Sequence, residues 1–135
     1  MEEYLKKYKL RFFFDYGAGG CLWSDNDLAY QDFGFGPIDK TIAEKTGKIS
    51  EFTLMQIKEL DELHSNYLNK DYPPDPSLWR QIDCDSFNEG ADKLLQSLRH
   101  QLKPNFYIEN RQIRYSEDED LDRYLKDPKQ FKRKT

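Results

Sequence analysis

The sequence predicts an α+β fold: one domain in which a small, mainly antiparallel sheet packs against two longer helices. Three observations carry this. Residues 50–69 and 86–102 repeat apolar side chains at helical spacing behind a capping signal. Residues 9–14, KLRFFF, and 105–115 have the aromatic runs and alternation of strands. With 135 residues, 15 % of them aromatic, the chain is long enough to bury a single core.

Taken in order, the run of residues 9–14 reads as a first strand buried on both faces. Gly17, Gly19 and Gly20 then supply a turn that side chains with a Cβ disfavour. Ser24, with Asp27 three residues on, predicts a helix start, and Asp25 adds charge where the helix dipole favours it. That short helix passes through Leu28 and Phe33 and stops at Gly34. A second short helix is expected over residues 37–45, closed by Gly47. Ser50 caps the next, running to about residue 69, with Ile49 and Leu54 placed as a hydrophobic staple. Ile57, Leu60, His64, Tyr67 and Leu68 form its stripe.

The stretch DYPPDPSLWRQIDCD is too irregular for helix or strand. Ser86 with Glu89 makes a second capping box, and Phe87, Ala91, Leu94, Leu95, Leu98 and Leu102 the apolar face behind it, ended by Pro104. A second strand over 105–115 completes the domain, assigned to residues 1–115. Residues 116–135 are a charged tail or helix, acidic over 116–122 and basic over 126–134, expected to be solvated.

Composition excludes some classes. The net charge of −4 gives no bulk attraction to nucleic acid or anionic membrane, and no apolar run approaches the roughly 20 residues of a membrane span. MEEYLKKYKL lacks the apolar core of a secretory signal, so a cytoplasmic location is expected. Cys21 and Cys84 stand alone and read as buried, reduced thiols.

The order strand, glycines, helix raises a phosphate-binding loop as a possibility, and the residues argue against it. A Walker loop needs Lys-Ser/Thr after its glycines; here Cys21-Leu22-Trp23 follow. A dinucleotide fingerprint needs a third glycine where Leu22 stands, and Asp25 and Asp27 would repel an anion at that helix start. Asp25-Asn26-Asp27 opens like a calcium loop but Ala29 and Tyr30 break it. His64 and His100 lack a partner ligand at i+4, and neither cysteine has a nucleophile's context. No cofactor, metal or catalytic residue is therefore assigned, and the chain is not read as an enzyme.

What remains is a surface. Asp71, Asp75, Asp83, Asp85, Glu89 and Asp92 face Arg80 as their sole countercharge, in a region that also carries Tyr72, Trp79 and three prolines. Stiff backbone, an aromatic anchor and unopposed carboxylates suit a binder of basic proteins. Trp79 reads first as a core plug beneath the loop and second as that anchor. Asp25 and Asp27 are added to the candidate contact. The competing readings are a small enzyme or ligand-binding protein using the Gly17–Gly20 turn with Asp15, Cys21 and Asp25, or a regulatory adaptor for another basic protein.

LRFFFDYGAGGCLWS, PPDPSLW and FNEGADKLLQSLRHQL, in this order, resemble a family of small bacterial proteins. Some of its members look like immunity proteins of contact-dependent or other polymorphic toxin systems. The likeness covers roughly residues 9–109 and leaves out the tail. It implies a one-domain cytosolic inhibitor bound to a cognate toxin domain, often a nuclease, and carries no active-site residue over.

Overall fold

The computed structural model describes residues 7–134. They form an α+β domain in the order β1 (Tyr8–Phe12), β2 (Leu22–Ser24), α1 (Asp27–Phe33), α2 (Asp39–Thr46), α3 (Glu51–Ser65), α4 (Gln81–Leu102), β3 (Phe106–Asn110) and α5 (Leu121–Lys126). The sheet has three strands in the order β2-β1-β3. It is mixed where a mainly antiparallel one was expected: β1 runs antiparallel to β2, with Leu10 opposite Ser24, and parallel to β3, with Leu10 opposite Ile108. Parallel neighbours need a long crossover, and here everything from α1 to α4 supplies it.

The alternation of β1 decides its faces. Tyr8, Leu10 and Phe12 turn into the core, while Lys9 and Arg11 turn away. Burial on both faces, suggested by the aromatic run, does not hold. The strand ends at Phe12, and Phe13 leaves the core to stack on Trp23, with centroids 4.8 Å apart and planes at 6°.

Ser24 does not cap a helix. It is the last residue of β2, and its hydroxyl donates to the Gly34 carbonyl at 2.9 Å. The cap of α1 is Asn26, whose Oδ1 accepts from the Ala29 N–H at 3.0 Å. Gly34 closes α1, and Gly47, at φ 65°, closes α2 in a left-handed conformation that side chains disfavour. Ser50 caps α3 through Thr53 N–H, and Ile49 and Leu54 both join the core. α3 ends at Ser65, so Tyr67 and Leu68 lie beyond it.

α4 starts at Gln81, five residues before the predicted Ser86, because the Asp83 carboxylate accepts from the Arg80 N–H at 2.9 Å and fixes the turn there. Its predicted apolar face, from Phe87 to Leu102, is buried as a whole and packs on α3 and β3. The 116–134 segment is not a loose tail. Leu121 and Tyr124 of α5 are buried, and the backbone N–H groups of Gln81 and Glu117 each bond to the other's side chain at 3.0 Å.

Candidate functional site

The proline-rich stretch is fixed from below by two buried polar residues. Asn69 donates to the Pro76 carbonyl at 2.9 Å and accepts from the Asp71 and Tyr72 N–H groups at 3.0 and 3.2 Å. Ser77 accepts from the Trp79 N–H at 3.2 Å. Every bond here anchors backbone, so the loop between them is a ridge of defined shape.

Trp79 is 8 % exposed and belongs to the core. It lies among Tyr67, Phe87 and Tyr115, and leaves the candidate surface. Two apolar residues that the sequence did not single out take its place outside: Leu78 at 58 % and Ile82 at 74 % exposure, with Tyr72 at 57 %. At 100° per residue, Ile82, Asp85 and Glu89 share the face of α4 opposite its buried stripe. An earlier helix start was the signal that would have exposed Ile82.

Asp71, Asp83, Asp85 and Glu89 are exposed and Asp75 is half-buried. None of the five enters an ion pair among the described residues. Asp92 differs, being held by Arg114 at 2.9 Å. Arg80, expected to be the ridge's countercharge, is turned to Asp122 at 2.8 Å and Glu117 at 3.7 Å. It is not the sole cation, since Arg133 returns to donate to the Pro74 carbonyl at 3.0 Å. Asp25 and Asp27 do not join the group. Asp25 sits 3.6 Å from Arg11 at the end of β2, and Asp27 opens α1.

The glycine turn is engaged from inside. Gly17 and Gly19, at φ 70° and 87°, donate their N–H groups to Ser65 Oγ and Asp61 Oδ1. Beyond Gly20, the amides of Cys21 and Leu22 donate to the buried Asp39 carboxylate at 2.9 and 2.8 Å. Burial pushes the Asp39 carboxyl up while these bonds hold it down. The Cys21 thiol donates to the same group at 3.4 Å; burial, then the Asp39 charge, push it well above its ordinary value. Such a thiol is a poor nucleophile. A loop whose amides already serve two carboxylates and a hydroxyl does not offer them to a phosphate. Beside it lies a cleft of about 440 Å³ walled by Leu54, Met55 and Ile57, with Lys58 and Asp61 in its lining.

His64 is buried, 2.7 Å from the Tyr115 hydroxyl through Nε2 and stacked on Tyr16 at 4.4 Å. Burial lowers it to about 4, against the opposing charge of Asp15. Cys21 and Cys84 are free and buried. Among the described residues no cluster of three or more His, Cys, Asp or Glu could hold a metal ion, and no helix is long and apolar enough to cross a membrane. Comparison with protein-family models, curated proteins and solved structures finds no match to this chain.

Proposed function

We propose that the protein is an immunity-type inhibitor that binds a basic toxin domain, most naturally a nuclease, through the ridge of residues 71–89 and covers its substrate groove. The observation behind this is an exposed apolar pair, Leu78 and Ile82, flanked by carboxylates without ion-pair partners. A cationic cleft built to hold phosphates attracts such carboxylates over a distance, raising the encounter rate, while the apolar pair supplies short-range contact. Inhibition is by occupancy and needs no catalytic group. The ridge is held by Asn69 and Ser77, so little order has to be gained on docking.

The test is co-expression with the toxin domain encoded beside the gene, followed by association kinetics on the purified pair. Reversing Asp75, Asp85 and Glu89 to lysine slows association about tenfold or more at low salt, within the range of electrostatic steering. Asp83 is left in place because it holds the start of α4. Rescue and kinetics untouched by the triple reversal would overturn the reading.

The cleft beside Gly19 favours a second reading, a small-ligand protein. There, a ligand found in a thermal-shift screen loses its effect in Met55→Lys, which fills the mouth with charge.

A further inference from the structure

The C-terminal segment is irregular after α5, yet it is seated on the fold by a specific set of contacts. The Arg133 guanidinium is shared between the Asp118 carboxylate, at 2.9 and 3.4 Å, the Asp120 carboxylate at 3.1 Å and the Pro74 carbonyl at 3.0 Å. Two residues earlier, the Phe131 ring stands edge-on to the buried Tyr124, centroids 5.4 Å apart, under the Arg123 guanidinium at 4.5 Å. Arg123 also donates to the Lys132 carbonyl at 2.8 Å, fixing the backbone between the two anchors.

We propose that the surface formed by Pro74, Asp118, Asp120, Arg123 and Tyr124 is a docking site for a basic peptide with an aromatic residue two positions before an arginine, and that Phe131–Arg133 of the chain itself is the resident occupant. This rests on the functional reading above and deepens it. Pro74 belongs to the ridge, so a basic partner reaching the ridge meets the chain's own arginine at its edge.

The acceptors fit the occupant. Asp118 and Asp120 are only 17 % and 25 % exposed at the side chain, and with the carbonyl they surround a planar, five-donor head that a lysine could not match. The Arg133 hydrogen bond is the chief reason the Asp118 carboxyl lies below its usual range. The occupant itself is held by charge contacts at the surface, which salt screens and which are individually weak. Tethering gives it a high local concentration, so it keeps the site closed to weak competitors and yields to a partner that also grips Leu78 and Ile82. The segment thus sets a threshold for binding at the ridge.

The experiment uses the full chain and a fluorescent synthetic peptide, DPKQFKRK, matching residues 127–134. A full-length Phe131→Ala/Arg133→Ala variant binds the peptide about tenfold or more tightly than the wild type, because its site is no longer shared with the tether. A peptide with the same two alanines does not bind, and raising salt from about 50 to about 500 mM weakens the interaction. Adding Asp118→Asn and Asp120→Asn to the opened variant abolishes it. Should the double variant lose its cooperative melt, Arg133→Gln alone serves as the opened form. Equal binding by wild type and opened variant, or binding by neither, overturns the proposal. Because no toxin domain enters this measurement, its failure leaves the ridge reading standing, whereas failure of the ridge reversals with peptide binding intact removes the threshold role and keeps the peptide site.

Discussion

Trp79 stands edge-on to Tyr67, ring planes at 90° and centroids 5.1 Å apart. Phe87 of α4 lies at 5.8 Å and Tyr115, beyond β3, at 6.0 Å. One indole therefore ties the underside of the ridge to α4 and to the segment after the sheet. Truncating it removes contacts to all three at once.

Trp79→Ala is accordingly expected to cost about 3–5 kcal/mol of folding stability, the range for losing a large buried aromatic. Urea denaturation reads it as a lower midpoint, with Trp79→Phe falling between. A variant that melts like the wild type yet fails to bind would return Trp79 to the surface.

Leu78→Ser/Ile82→Ser is expected to do the opposite. Both side chains are more than half exposed, so each substitution moves stability by no more than about 0.5 kcal/mol. On the proposed reading, binding to a toxin domain is expected to fall about tenfold or more, as for contacts near the centre of an interface. Calorimetry of the fold and of the complex separates the two effects.

His64 gives the molecule a pH dependence. Burial lowers its folded value to about 4, against about 6.5 in the unfolded chain. Above pH 6.5 both states are neutral and stability is full. As pH falls from there to about 4, the unfolded state takes up a proton that the folded state refuses, so stability declines, by on the order of 3 kcal/mol in total. Denaturation at about pH 7 and pH 4.5 measures the drop, and His64→Phe should remove most of the contribution of this group.

Asp39→Ala orphans the N–H groups of Cys21 and Leu22, which both end on that carboxylate. At about 1–3 kcal/mol for each buried unpaired donor, the expected loss is about 2–6 kcal/mol. Gly20→Ala strains the same corner, because a Cβ would lie 2.7 Å from Pro37 Cβ and 3.0 Å from the Asp39 carboxylate. Overpacking of this kind costs about 1–3 kcal/mol. Thermal melts of both variants check the pair.

The helices were the most legible part of the sequence, since the stripes of α3 and α4 and the signals at Ser50, Gly34 and Gly47 act within one or two turns. What escaped was set by partners far along the chain. Ser86 and Glu89 imitate a capping box although Asp83 had already started α4. The three residues of β2 are too few to show alternation, so Ser24 passed for a cap. The direction of β3 depends on where α4 delivers the chain. Of the candidate surface, the acidic ridge was readable from charge alone. Leu78 and Ile82 were not: an apolar residue in a loop, such as Leu78, gives no sign of whether it faces the core, and Ile82 was read as loop because α4 was expected to start later. Nor could sequence tell that Arg133 folds back on Pro74.

The pairing of Tyr8 with Phe106 and of Phe12 with Asn110 has a consequence for synthesis. On the ribosome, β1 emerges before α1 to α4 and its edge partner β3 only after them, so the sheet closes late. Until then an apolar strand waits beside a short hairpin-like neighbour, a state in which contacts distant in sequence make closure slow. Nascent chains stalled before β3 should stay open to protease, and emergence of β3 should convert them in one late step.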